Sequence, residues 1–407
     1  QVAVPWAVVG AGFTGLACAR RLAELHPQQK ILLLEARSVG EGASGRNSGY
    51  AVALSHFTGG FDSAMKSEYR RVNRINSTGL DLLRHQVEAS AIECGWRENG
   101  IFHAAADRRS LDECKAFEHY LTALEIPFTP MERDQLSHQL GTGHYARGLR
   151  VHQGALMQPA ALVRGLAGAL PSNVTLCEQS PVLSIKRGSP SVLRTPNGKV
   201  MADKLVLATN YEAPGLGFLR RRLLGSTLSG SFTRQLTGEE SDSLGSETSW
   251  GLLSLHGGGA TVRLTPDQRL CIRNTAEYGG GSLLSEVALL QRRIVHRIAF
   301  EKRFPQLIHV PFEFSWSGVE GITGNGTNFF GKMEKNCYLA GGYNGSGVSR
   351  GTAFGVALAE YAAGGQSQLI SDCLNSAPAT WLPPRPLLDI GAWFTVRSRF
   401  RGVGEDR

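Results

Sequence analysis

Three glycines stand in the run Gly10-Ala11-Gly12-Phe13-Thr14-Gly15, and Glu35 lies twenty residues past the last of them. That spacing has a chemistry. The first glycine makes a tight turn, the second lets backbone approach a pyrophosphate with no side chain between, and the third lets a helix pack closely on a strand. The helix that follows offers free N–H groups and a partial positive charge to phosphate. A carboxylate at position 35, followed by Ala36 and Arg37, is placed to accept the two hydroxyls of an adenosine ribose and to repel a 2′-phosphate.

Such a motif has meaning only between the right elements. Trp6 to Val9 is a short apolar run, read as a buried strand. Thr14 to Leu25 carries apolar residues at helical spacing, and Ile31 to Leu34 is a second apolar run ended by Glu35. Strand, glycine turn, helix and strand follow within the span of one βαβ unit.

A nicotinamide dinucleotide needs only one such fingerprint, whereas a flavin ring must also be held by distant segments. The chain supplies three: Gly42-Ala43-Ser44-Gly45-Arg46-Asn47-Ser48-Gly49, Ala208-Thr209-Asn210, and Gly341-Gly342-Tyr343-Asn344-Gly345-Ser346-Gly347-Val348. The last stands between the strand Cys337 to Ala340 and a helix at Ala353 to Ala363, and so aims a second helix dipole at the ring. The expected cofactor is FAD.

The remaining chain alternates. Residues 62–93 are helical in period, Glu98 to Ala106 reads as a strand, Arg109 to Leu124 as a helix, and a helix follows Pro159. Residues 226–277 read mostly as strands, Glu286 to Phe300 as an amphipathic helix with a basic wet face, and Phe312 to Val319 as a strand. Arg220, Arg221 and Arg222 read as one face of a helix end; the last fifteen residues, rich in arginine, read either as a loose tail or as a docked segment.

These motifs, with Trp96-Arg97-Glu98-Asn99-Gly100 and Leu264-Thr265-Pro266-Asp267-Gln268-Arg269-Leu270, resemble the FAD-dependent oxidoreductases of the D-amino acid oxidase superfamily, nearest its glycine/sarcosine oxidase branch and the bacterial γ-glutamylputrescine oxidoreductases. The segment from Gly42 to Gly49 is the most specific piece. The resemblance implies an α/β fold: a discontinuous Rossmann-type FAD-binding domain (1–85, 150–215, 318–370), a substrate domain with a mostly antiparallel sheet and helices (86–149, 216–317), and a C-terminal extension (371–407). It further implies that Ala43, Ser44 and Arg46 to Gly49 run beside the flavin and pyrophosphate. Val182 would meet the adenine through its backbone, and Gly342 to Val348 the pyrimidine end of the ring. Some sarcosine oxidases attach FAD to a cysteine near the segment occupied here by Phe314 to Gly324; no cysteine occurs there, so non-covalent FAD is expected.

The activity expected is oxidation of a small amine or amino acid, with a hydride equivalent leaving the carbon next to nitrogen for the flavin and the imine then hydrolysing. Arg46 is the candidate cation for charge gained by the ring, with a pyrophosphate or surface contact as its alternative. Tyr343 or Ser346 stands near the ring where relatives often have histidine. A carboxylate-bearing substrate needs an arginine fork. Arg263 and Arg273 are the candidates on the proposed substrate sheet, with Tyr278 following, His56 at the pocket mouth and Trp316 as a wall. Each of these is more often a solvated strand residue, a bonded structural histidine or a core aromatic. The electron acceptor is oxygen or a carrier such as a quinone. A flavin-binding protein with a non-catalytic or RNA-modification-related role is the alternative of a different class.

Composition sets the bounds. With 407 residues, 42% of them hydrophobic, the chain can bury a large core in two domains. Its net charge of +8 invites a nucleic-acid reading, but no helix-turn-helix, zinc-finger or RNA-recognition signature accompanies it. Seven scattered cysteines with no CxxC pair argue against a disulfide framework or a metal site. No stretch of uncharged apolar residues is long enough for a transmembrane helix. A cytoplasmic location, or one peripheral to the inner membrane, is the expectation.

Overall fold

The computed structural model describes residues 1–54, 60–401 and 403–407, with nothing stated for the side chain of Arg399. Two sheets organise the chain. In the first, five strands run parallel in the order Cys337–Gly341, Gly198–Leu207, Val2–Val9, Ile31–Leu34, Val174–Cys177, and antiparallel strands flank them. All four residues of Ile31–Leu34 are buried, as expected of a strand with both faces covered. The helices Phe13–Leu25 and Ser349–Ala362 pack on one face. They share a core with Val8, Leu33 and Val206 from the sheet.

The second sheet has the order Phe312–Ile322, Leu224–Thr233, Leu270–Glu277, Thr261–Leu264, Trp250–Ser254, Ile101–Ala105, Arg147–Val151, Phe128–Glu132. All its pairings are antiparallel except that between Trp250–Ser254 and Ile101–Ala105. The helix Glu286–Arg303 covers one face, burying Ala299 and Phe300 in a core with Leu252, Val262 and Ile272. Ser285 caps its start, and Lys302 and Arg303 stand in its last turn, where positive charge meets the dipole.

Two expectations about local structure change, and one alternative left open by the sequence is decided. Arg220, Arg221 and Arg222 lie in a turn, not at a helix end; Leu219 and Arg221 take positive φ values of 51° and 60°, which no α-helix accommodates. The wet face of Glu286–Arg303 is not simply basic: Val287, Leu290, Ile294 and Ile298 are all exposed on it. The C-terminal arginines do not trail free. A helix, Leu387–Phe400, forms there. Beyond it the buried Arg303 donates to the carbonyls of Asp406 and Arg407, while the Asp406 carboxylate accepts the Ala106 N–H.

The second sheet is irregular at one point. Ser229 pairs with Thr275 but Ser231 pairs with Ile272, so one residue of one strand, Gly230, opposes two of its neighbour, Arg273 and Asn274. The extra residue is a β-bulge in Leu270–Glu277, and it reverses side-chain alternation from that point on. Ile272, Thr275 and Glu277 face the helix Glu286–Arg303: Ile272 in its core, Thr275 beside His296, and Glu277 paired with Arg292. Arg273, Asn274 and Ala276 face the other way.

Candidate active site

A cavity of about 1110 Å³ runs from the ends of the parallel strands to the uncovered face of the second sheet. At its first end stands the glycine fingerprint. Gly10 has φ +99°, a region that favours glycine, and a Cβ at Gly15 would lie 1.7 Å from the Gly10 carbonyl oxygen. The helix Phe13–Leu25 therefore meets the strand turn at a distance only glycine permits. A Cβ at Gly12 would lie 2.7 Å from the Ser44 hydroxyl, which in turn accepts the Phe13 N–H at 3.1 Å. Gly10, Gly12, Phe13 and Thr14 line the cavity, while Gly15 stands behind them as packing.

Glu35 accepts the N–H groups of Ala11 and Arg37, at 2.8 and 3.1 Å, and with Ala36 and Arg37 forms one wall. Val182 stands nearby, with Ala208 and Thr209 from the end of Gly198–Leu207. The Thr209 hydroxyl is buried without a partner. Tyr211 and Glu212, which no sequence motif marks, close this end. Burial pushes the Tyr211 phenol up to about 12 and raises the Glu212 carboxyl.

The segment 42–49 forms the middle. Gly42, Ala43, Ser44, Arg46, Asn47 and Ser48 line the cavity, with Gly49 just behind. Asn47 fixes the bend by donating to the Ser44 carbonyl and accepting the Gly49 N–H. Arg46 lines the cavity but spends donors on the carbonyls of Glu41 and Ser317, so it also ties this loop to the strand Phe312–Ile322. The late glycine segment faces it. Asn344, Gly345, Ser346, Gly347 and Val348 line the cavity ahead of the helix Ser349–Ala362, and Gly342 lies behind. Asn344 bonds Thr323, Thr327 and Gly342; it shapes the loop.

The proposed catalytic and substrate residues separate. Tyr343 is buried at the cavity edge, and its hydroxyl is shared with Thr14 at 2.7 Å; it braces one helix start against the other. Arg263 is no substrate fork. It is 3% exposed, stands outside the cavity, and its Nη1 donates to the carbonyls of Met157 (2.6 Å), Ser48 (3.2 Å) and Gly49 (3.4 Å). Trp316 is no wall either: its ring stacks on Phe232 and its N–H donates to the Arg46 carbonyl. Tyr278 points to the C-terminal segment, against Arg385 and Asp389. His56 lies outside the described residues. Of the candidates on the second sheet, Arg273 reaches the cavity, where its Nη2 donates to the Thr261 hydroxyl at 2.6 Å.

Other cavity residues carried no sequence signal. His103, His256 and Glu320 line it, as does Asn274 beside Arg273. Thr395, Val396 and Phe400 of the C-terminal helix complete the lining.

A chamber with a fingerprint turn at one end, an acidic strand end beside it and a second sheet over the other end defines a dinucleotide-dependent oxidoreductase of the flavoprotein class. The residues fit FAD: an orphaned threonine hydroxyl, glycines whose Cβ would fill the turn, and two helix N-termini converge on one cavity of about 1110 Å³. Comparison with known proteins agrees. The family profile described as DAO, FAD dependent oxidoreductase, matches residues 5–361, and the chain belongs to this family. It is 30% identical over 363 residues to γ-glutamylputrescine oxidoreductase of Escherichia coli strain K12, covering 84% of this chain and 79% of that one. It is 27% identical over 380 residues to the probable oxidoreductase OrdL of Haemophilus influenzae, covering 89% and 83%. The fold is shared with glycine oxidase from Geobacillus kaustophilus, with a TM-score of 0.77 at 19% identity over 90% of this chain and 96% of that one. Among the described residues, no helix is long and apolar enough to cross a membrane.

Proposed function

We propose that this chain oxidises the C–N bond of a small amine or amino acid. A hydride equivalent leaves the carbon next to nitrogen, the nitrogen loses a proton, and water hydrolyses the resulting imine to a carbonyl compound and an amine. The observation that carries the reading is the continuity of the cavity: one space joins the nucleotide-binding turn, the 42–49 loop and the inner face of the second sheet. Bound there, FAD supplies the two-electron acceptor. The relative named for γ-glutamylputrescine, an amine, supports the substrate class.

The chain's own groups do the rest. Gly10 to Thr14 and Glu35 hold the nucleotide. Arg46 and the N-terminus of Ser349–Ala362 supply positive potential on the inner side of the cavity. The second sheet orients the C–H bond and keeps water off the imine until release. FAD is held without a covalent bond: no cysteine stands between Phe314 and Gly324, and none of the seven lines the cavity. Oxygen or a carrier takes the electrons on.

The test is an anaerobic panel. The yellow protein is mixed with D-amino acids, glycine, sarcosine, γ-glutamylputrescine and polyamines while the visible flavin band is followed. Bleaching by one compound supports amine oxidation, and peroxide formed on admitting air assigns oxygen as acceptor. A colourless protein that takes up no FAD, or a yellow one that no compound bleaches, overturns the reading.

A further inference from the structure

We propose that the C-terminal helix, Leu387–Phe400, docks the protein on an anionic lipid surface. The inference goes beyond amine oxidation and does not depend on it.

The helix carries its large apolar side chains outward. Thr395, Val396 and Phe400 line the cavity. Leu387, Ile390, Trp393 and Phe394 are 50–61% exposed, as is Trp381 shortly before the helix. Positions 387, 390 and 394 are spaced to share one helix face, with 393 flanking it. The Trp393 and Phe394 rings meet edge to face, their centroids 4.9 Å apart, and form one projecting aromatic pair. A helix surrounded by water ordinarily turns such a face inward, and an exposed apolar patch marks a surface that meets a partner.

Charge names the partner. From Cys373 to Gly404 the chain has four arginines, Arg385, Arg397, Arg399 and Arg401, and one acid, Asp389. That acid is already paired with Arg385 at 3.3 Å. The Arg220–Arg222 turn adds to the positive side. The Arg221 guanidinium lies 5.1 Å from the Trp381 ring centroid, and the Arg221 carbonyl accepts the Leu382 N–H at 2.7 Å. Arg397 lies over the Trp393 ring, also at 5.1 Å. Arg220, Arg221, Arg397 and Arg401 are all exposed. Aromatic rings interleaved with arginines suit the headgroup layer of a membrane, where the rings enter the acyl boundary and the guanidinium groups meet phosphate.

Two other partners fit less well. A second copy joined about a twofold axis would set these arginines against themselves. A nucleic acid would take the charge and leave Leu387 and Ile390 in water. The helix Glu286–Arg303 also exposes a ridge, Val287, Leu290, Ile294 and Ile298. Its arginines are turned back, however: Arg292 pairs with Glu277, Arg293 donates to the Phe312 carbonyl and Arg297 to the Val310 carbonyl. That ridge lacks the outward charge and serves as the control.

The test is co-sedimentation of the holoprotein with vesicles of phosphatidylcholine alone and of phosphatidylcholine mixed with phosphatidylglycerol. The mixed vesicles should bind at least tenfold more tightly. W393S/F394S should lose at least tenfold in binding to them, with FAD retained as the sign of a folded protein, while L290S/I294S stays within twofold of the unaltered protein. R221E/R397E, which reverses charge on two exposed side chains, should lose as much as W393S/F394S and decides if that variant does not fold. No binding to the mixed vesicles, equal binding to both kinds, or undiminished binding in W393S/F394S or R221E/R397E overturns the proposal. So does loss of binding in L290S/I294S. A concentration-dependent dimer that W393S/F394S disperses, in a protein that no vesicle binds, would overturn it in favour of a second copy.

Discussion

Replacing Arg263 by methionine separates two jobs that a buried arginine on the substrate sheet could have. As a substrate fork, its loss would weaken carboxylate binding and leave FAD alone. As a bracket for the 42–49 loop, its loss should act on FAD. The structure allows a magnitude. The Met157 and Ser48 carbonyls lose a charged donor, while the Gly49 carbonyl keeps the Met157 N–H. Two weakened buried acceptors cost about 2–6 kcal/mol together. Against this, burial lowers the Arg263 pKa, and no carboxylate bonds its guanidinium, so removing the charge recovers about 2 kcal/mol of desolvation from a middle cost of about 4. The net loss is about 2 kcal/mol.

That loss falls on the 42–49 loop, which we propose holds the flavin. If the bound state has to restore it, FAD binding weakens by the same amount, about thirtyfold. The assay is titration of apoprotein with FAD, followed by quenching of flavin fluorescence. An R263M variant that binds FAD within threefold of the unaltered protein but loses benzoate affinity would refute the bracket and reinstate the fork.

Three further outcomes are expected. Gly15→Ala should yield a protein purified without yellow colour, because its methyl would lie 1.7 Å from the Gly10 oxygen and must push helix off strand; an absorbance ratio matching the unaltered protein would contradict this. His296 is fully buried, its Nδ1 sharing a hydrogen bond with the Ser231 hydroxyl, and burial, then the charge of Arg273, lower its pKa from 6.5 to about 4. The folded state therefore refuses a proton that the unfolded chain accepts, so its stability contribution is present above pH 6.5 and is lost as pH falls toward 4. The loss is about 2 kcal/mol between about pH 7 and pH 5, and His296→Gln should remove that much of the acid sensitivity in urea midpoints taken at both pH values. Acid precipitation of the holoprotein should leave the flavin in the supernatant; colour retained in the pellet would show a covalent link.

The nucleotide end of the site was legible because backbone chemistry dictates it. Gly10 and Gly15 are demanded by a turn and a close crossing, and Glu35 stands where such a fold places the carboxylate for a ribose; each demand restricts residue type so tightly that spacing alone reveals it. The same holds for Trp6 to Val9 in the first strand and for Ile31–Leu34, whose burial leaves an unbroken apolar run. Nothing comparable marks Tyr211 or Glu212. They reach the cavity through the short helical turn Asn210–Leu216, which carries no periodic signal.

The substrate end was hidden for a different reason. In an antiparallel strand the face of every residue is set by register, and one inserted residue exchanges the faces of all those after it. Arg263 and Arg273 look alike in sequence, and through the pairings Arg263 with Cys271 and Thr261 with Arg273 they share a sheet face. What divides them is what that face meets: at Arg263 the backbone of the 42–49 loop, at Arg273 open cavity. Asn274 joins Arg273 only because the bulge falls between Ile272 and Thr275. No local preference of the residues 272–275 announces a bulge there; it is the pairing with Leu224–Thr233, some forty residues earlier in the chain, that imposes it. The lining of this end of the cavity is thus set by strand registration, while the fingerprint end is set by residue type, and the first is the less visible in a chain read by itself.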